Sequence, residues 1–221
     1  MNYTAFSLNG AWKMDYSPEK YLGVENPWTD KENLVRNAVP CYWEDMTDVF
    51  ACTDFYHKLR INPEYGIQQY PMTSMPPDMA LPNVIGNFFY QRTFSCENIT
   101  EPCALHFVGV QNAVSVWLND VYLGRHEGYS APFDFDIPMG LIRDGENSIV
   151  LSVSNHRLEG FDGQPVSGLT SRAANECTGG ITGDVELRVY RCPLREVTVT
   201  VSEDCKRIYC IHSDLAAGNI P

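Results

Sequence analysis

Few of the residues that could do chemistry stand at the spacings chemistry uses. The five histidines, His57, His106, His126, His156 and His212, form no His-x-x-x-His or His-x-His pair, which argues against a metal site of that kind. The eight cysteines (Cys41, Cys52, Cys96, Cys103, Cys177, Cys192, Cys205, Cys210) include no Cys-x-x-Cys pair, which disfavours zinc of the ribbon or finger type. Spread through a chain large enough to fold without staples, they read as mostly buried free thiols. Gly128-Tyr129-Ser130-Ala131-Pro132 holds the first half of a nucleophile elbow, but the second Gly is missing and no strand-turn-helix pattern surrounds it, so it reads as a connection between strands. Asp134 and Asp136 alternate with Phe133 and Phe135, a pattern that suits Ca²⁺ carboxylates and equally a strand with solvent-facing acids. Trp12, Trp28, Trp43 and Trp117 offer ring faces for sugar stacking or for core and interface packing, and Trp43, close to a proline turn, reads as a domain-interface anchor. Catalytic residues, metal and cofactor are expected to be absent from this chain.

The elements that would position these groups are strands. In Ala113-Val114-Ser115-Val116-Trp117-Leu118 the apolar Val114, Val116 and Leu118 recur with the period of two of a strand with one buried face. Asn119-Asp120 tolerates positive φ, and Val121-Tyr122-Leu123-Gly124 resumes the pattern, which predicts a hairpin. A second turn, Arg143 to Asn147, leads into Ser148 to Val153, a buried strand. Further strands are predicted over 10–14, 88–94, 104–108 and 185–190, with no convincing amphipathic helix; many short strands point to a sandwich or jelly roll. Pro63 to Pro82 holds five prolines and three methionines, a long irregular loop of the kind that is functional or packed on a neighbour. After Pro193 the pattern restarts with strands over 195–201 and 207–211, too few to bury a core, so residues 1–193 are read as one domain and 194–221 as the first strands of a second.

Bulk properties narrow the partners. With 16 Lys and Arg against 28 Asp and Glu, the net charge of −12 repels phosphate backbones and anionic lipids, which excludes nucleic acid and membrane surfaces as favoured partners. A neutral sugar is not penalised, whereas a uronic acid would need a local Arg or Lys. The start of the sequence has no basic, apolar leader pattern and no stretch has the ~20 apolar residues of a membrane span, so a cytoplasmic location is expected. Asn98-Ile99-Thr100 matches a glycosylation acceptor, without consequence there.

Several phrases in order resemble the sugar-binding N-terminal domain of glycoside hydrolase family 2, the family of β-galactosidases and β-glucuronidases. They are Leu8-Asn9-Gly10-Ala11-Trp12, Val39-Pro40-Cys41-Tyr42-Trp43, Tyr70-Pro71, Phe89-Tyr90-Gln91-Arg92-Thr93-Phe94, Phe107-Val108-Gly109-Val110, Val116-Trp117-Leu118-Asn119, Gly124, Gly128-Tyr129, Pro132-Phe133, Phe135-Asp136-Ile137, Gly145-Glu146-Asn147 and Gly179-Gly180-Ile181 before Asp184 to Leu187. Each is weak alone; their order is specific. The resemblance covers roughly residues 5–193, and the restart after Pro193 is similar to the family's immunoglobulin-like domain. It implies an all-β, galactose-binding-like jelly roll, non-catalytic, in a longer retaining glycosidase acting on β-linked sugars, whose barrel carries two glutamates ~5–5.5 Å apart.

Departures from the family pattern bear on substrate. Where β-galactosidases place an Asn before Tyr-Pro and an Asp before the Gly-Ile turn, this sequence has Ile67 and Ala174, and Thr182-Gly183 stands in place of the usual Arg after Gly-Ile. Gln68, Gln69, Arg172 and Asn175 are the nearby groups able to bind sugar hydroxyls, or to be solvated loop residues. Asn175-Glu176 copies the family's acid/base dipeptide but precedes a sandwich strand, so no catalysis is assigned to it. The expected partners are carbohydrate, the remaining domains of the parent enzyme and, in a homo-oligomer, further copies of the chain; an independent carbohydrate-binding or interaction module is the alternative.

Overall fold

The computed structural model describes residues 3–17, 21–30, 35–43, 87–111, 113–128, 131–155, 158–159, 165–166, 179–191, 194–202 and 208–214, and every element among them is a strand. In chain order these are β1 (Tyr3–Ser7), β2 (Gly10–Ser17), β3 (Val35–Val39), β4 (Cys41–Tyr42), β5 (Asn87–Cys96), β6 (Cys103–Phe107), β7 (Val110–Gln111), β8 (Ala113–Leu118), β9 (Val121–Glu127), β10 (Phe133–Ile137), β11 (Gly145–Ser154), β12 (Leu158–Glu159), β13 (Pro165–Val166), β14 (Gly180–Ile181), β15 (Val185–Tyr190), β16 (Leu194–Val201) and β17 (Ile208–Asp214). Two antiparallel sheets form a sandwich: six strands in the order β3-β2-β5-β11-β8-β9 and four in the order β1-β15-β6-β10.

The period-two pattern explains what lies between them. From the larger sheet Trp12, Met14, Phe88, Tyr90, Val114, Val116, Leu118, Ile149, Leu151 and Val153 enter one apolar cluster with Leu105, Phe107, Phe135, Ile137, Val185 and Leu187 from the smaller. At ~25 cal/mol per Å² of apolar surface removed from water, this cluster is the main stabilising term of the domain. The sandwich and its all-β character are as expected, and most predicted strands are present, extended by a few residues.

Three features depart from the sequence reading. First, β8 is buried on both faces, not one. Residues 21–28 cross its outer side: the Val24 carbonyl accepts the Trp117 indole N–H at 2.8 Å, and the Tyr21 ring lies 6.0 Å from that indole. Second, β1 and β3 appear where no strand was expected, each at an edge of its sheet. Third, Trp43 is no interface anchor: it is fully buried in the core, 4.2 Å from the Phe88 ring, with its indole N–H donating to the Tyr90 hydroxyl at 2.6 Å.

The Asn119-Asp120 hairpin is present, with φ of 50° and 69° at the two turn residues. At the far end of the chain β16 and β17 pair only with each other among the described residues. No helix among the described residues is long and apolar enough to cross a membrane.

Candidate functional site

One end of the sandwich gathers the stems of both segments that hold the candidate sugar ligands. The stretch 44–86, with Ile67, Gln68 and Gln69, leaves after Trp43 and returns at Asn87; the stretch 156–178, with Arg172, Ala174, Asn175 and Glu176, leaves after Asn155 and returns at Gly179. All of these candidates lie outside the described residues, as do Tyr70-Pro71. Their stems are within it and are adjacent: the Trp43 N–H donates to the Gly179 carbonyl at 3.0 Å, Gly180 pairs with Tyr42, and Asn87 pairs with Ser154.

Gly179-Gly180 is required here by space and by backbone shape. A Cβ on Gly179 would come within 2.0 Å of Cε3 and 2.2 Å of Cζ3 of the Trp43 indole, and one on Gly180, where φ is +119°, would come 2.5 Å from the Cys41 carbonyl oxygen. The flat indole therefore lies directly on glycine backbone, and β14 is held between β4 and β7 in a small third sheet. A cis Val39–Pro40 peptide joins β3 to β4 just before this contact.

Buried polar groups mark the same end. Asn87, Gln111, Ser154 and Asn155 are all buried, and Asn87 accepts a hydrogen bond from the Ser152 hydroxyl at 3.0 Å while its Nδ2 has no partner among the described residues. Sequence reasoning missed these residues: Asn87 and Asn155 read as ordinary polar loop boundaries, and only their burial separates them from solvated ones.

Other groupings do less. His106 Nδ1 and Asp134 Oδ1 are 2.7 Å apart on the outer face of the smaller sheet, so Asp134 is engaged by a neighbour rather than simply facing solvent. Among the described residues no three His, Cys, Asp or Glu side chains are grouped to hold a metal. A cleft of about 230 Å³, where β2 and β5 part beyond the Lys13–Gln91 pair, is lined by Ala11, Trp12, Lys13, Gln91, Arg92 and Thr93. Its polar groups are committed elsewhere: Lys13 Nζ to Asp30 at 2.9 Å, Gln91 to the Ser148 hydroxyl at 3.2 Å, Arg92 to the Asn9 carbonyl at 2.6 Å.

Neither Cys96 nor Cys103 is an activated nucleophile. Cys96 and Cys103 are free thiols. Burial, with the nearby Cys96 and Glu101, pushes the Cys103 thiol up to about 11, and burial with Asp144 raises Cys96. A thiol held protonated is a poor nucleophile. His126, stacked on Phe133 at 3.8 Å, is moved below its ordinary range by burial, partly offset by Glu127.

The ordered phrases of the sequence turn out to be joints of this scaffold. Asn9 Nδ2 donates to Asp184 at 2.8 Å and its Oδ1 accepts the Val185 N–H at 3.0 Å, so the first phrase ties to the last. The Gly109 carbonyl accepts from the N–H groups of Thr182 and Gly183 at 3.0 and 3.1 Å. Asn119 Nδ2 donates to Asn147 Oδ1 at 2.8 Å, which joins the Trp-Leu-Asn and Gly-Glu-Asn turns.

Known proteins carry the same scaffold. Residues 6–187 match the sugar binding domain of the glycosyl hydrolases family 2. The β-galactosidase large subunit of Leuconostoc lactis is 26% identical over 165 residues, 70% of this chain and 26% of that protein; the β-galactosidase of Staphylococcus xylosus is 30% identical over 150 residues, 66% of this chain and 13% of that one. The β-glucuronidase of Faecalibacterium prausnitzii superposes with a TM-score of 0.61 at 18% identity over 97% of this chain and 36% of its own, and the β-glucuronidase of Bifidobacterium dentium with 0.60 at 19% over 91% and 32%. The chain thus spans about a quarter or less of these curated relatives and about a third of the solved chains. The family 2 domain that these residues form matches the N-terminal part of those glycosidases; this chain belongs to glycoside hydrolase family 2 through its sugar-binding domain.

Proposed function

We propose that this domain serves a retaining β-glycosidase by carrying the stretches 44–86 and 156–178 to the substrate side of a catalytic barrel, where Gln68, Gln69, Arg172 and Asn175 bind sugar hydroxyls. The observation that carries this reading is the stem cluster: Trp43, Asn87, Asn155 and Gly179 bring the roots of both stretches to one end of the sandwich. Ile67 and Ala174, where β-galactosidases use polar groups, favour a sugar other than an unmodified galactoside. For an acidic sugar, Arg172 is the one cation in the candidate set able to pair with its carboxylate. The β16–β17 hairpin, with no partner sheet among the described residues, belongs in this reading to a following immunoglobulin-like domain that begins near Leu194. The free thiols of Cys96 and Cys103, among the described residues, agree with a reducing, cytoplasmic location.

Hydrolysis of a panel of nitrophenyl β-glycosides by the full-length parent and by residues 1–221 tests the proposal. Turnover by the parent and none by the fragment is expected, with Arg172→Ala in the parent raising KM for glucuronides more than for galactosides. Sugar binding by the fragment alone, with no activity in the parent, would make it an independent binding module instead.

A further inference from the structure

We propose that a second copy of this chain pairs with β1 (Tyr3–Ser7), joining the two smaller sheets edge to edge. Among the described residues the two sandwich sheets have four outer edges, and three of them carry features that block pairing. In β9 the register slips between Val116 and Trp117 of its partner, and Arg125 and Glu127 stand along it. Strand β10 carries Asp134 and Asp136 and runs into Pro138. Strand β3 contains Arg36 and is followed at once by Pro40. By contrast, Tyr-Thr-Ala-Phe-Ser has no charge, no proline and no bulge, and it is exposed over four of its five residues. Phe6 is 49% exposed although it stands level with the buried Leu187.

The hydrogen-bond parity of β1 defines how a copy would fit. The Leu8 N–H donates to the Val185 carbonyl at 2.8 Å, so residues of that parity, Phe6 and Thr4, direct their backbone groups toward β15. Tyr3, Ala5 and Ser7 therefore direct theirs to the open edge, since successive residues of a strand alternate sides in the ladder. An antiparallel copy related by a two-fold axis at Ala5 sets Ala5 against Ala5, Tyr3 against Ser7 and Ser7 against Tyr3. All three outward residues on each chain then exchange both bonds, and the intervening pairs bring Phe6 of each copy onto Thr4 of the other. This is the isologous, self-complementary contact that closed dimers use. The uncharged strand also places the contact where the net charge of −12 opposes association least.

The inference stands apart from the proposed function, since it uses only β1 and its neighbours. It is tested by sedimentation and light scattering of the 221-residue chain over a range of concentrations, with thermal unfolding followed in parallel. The wild type should move from the 24.9 kDa chain mass toward twice that value as concentration rises, and more readily at higher salt. Ala5→Glu and Ala5→Lys place like charges across the two-fold axis, so each should stay at the chain mass with its unfolding midpoint kept, and an equimolar mixture of the two should regain the dimer. Ala5→Pro removes only an outward N–H and should likewise abolish association. A wild type that holds the chain mass at every concentration, a dimer indifferent to these variants, or a mixture that stays monomeric would overturn the proposal.

Discussion

The two ends of the larger sheet are built on different principles. At the end where β11 begins, short turns are tied by side-chain amides: Asn147 Oδ1 accepts from Asn119 Nδ2 and from the Arg143 N–H, Asn147 Nδ2 donates to the Arg143 carbonyl, and Asn119 Oδ1 accepts the Ser148 N–H. At the opposite end, where β11 finishes beside Asn87, long stretches leave and return, and closure rests on the backbone pairing of β14 with β4 and β7 and on an indole laid on Gly179-Gly180. A short turn leaves a few backbone groups to satisfy, and two buried amides suffice. Long excursions have no short turn to bring their roots together, and here the β4-β14-β7 ladder and an aromatic plate hold them. In the proposed function this is the end suited to substrate choice, because the plate fixes the roots and leaves the sequence between them free to vary.

Removing the plate should have the largest effect. Trp43→Ala deletes a fully buried indole, its tilted ring contact with Phe88 and its bond to the Tyr90 hydroxyl, for which a loss of about 4 kcal/mol is expected in urea unfolding. Gly180→Ala attacks the same contact from the backbone side. If either variant unfolds at the wild-type midpoint, the indole is not what holds this end and the comparison fails.

At the amide end the effect should be smaller and strongly coupled. Asn147→Ala strands the Arg143 N–H and carbonyl, and Asn119→Ala strands the Ser148 N–H, each costing about 2 kcal/mol. Because the two side chains bond one another, the double variant should cost less than the sum by about 1 kcal/mol. Additive losses would mean that the two turns act independently.

These joints show what could be read before the fold was known. Alternation in 113–118, 148–153 and 185–190 marked strands because one set of side chains had to enter the core, and Asn119-Asp120 marked a hairpin because the turn needs positive φ. Strand β1 was illegible for the converse reason: four of its five residues are exposed, so no buried face leaves a period of two. The cover over β8 was equally silent, since it hangs on the Val24 carbonyl, a group every residue carries. Trp43 announced a large apolar surface beside a proline turn, but residue type alone does not say whether the surface faces its own core or a neighbour. The four sugar-ligand candidates owe their place to the family phrases and lie outside the described residues; only the convergence of their roots is visible.

A last difference between the ends is titration. His126 pairs with Val114 on β8, near the end with the long stretches, and stacks on Phe133 with Glu127 and Arg125 as its charged neighbours on β9. Burial holds its folded-state pKa below the ordinary 6.5, so the unfolded chain takes up the proton more readily. Stability is therefore complete above pH 6.5, falls as pH drops below it, and levels off once the folded-state pKa has been passed. Urea midpoints measured between pH 7.5 and 5.5 should decline for the wild type and stay flatter for His126→Phe, which keeps the stacked ring and removes the titrating group. At the amide end Asn119 and Asn147 do not titrate, and burial raises the Cys96 thiol beside Asn147 so that it stays protonated across this range; the cost of Asn147→Ala should therefore be the same at both pH values. A cost that changes with pH would show that the two ends are electrostatically linked through β11 and do not close independently.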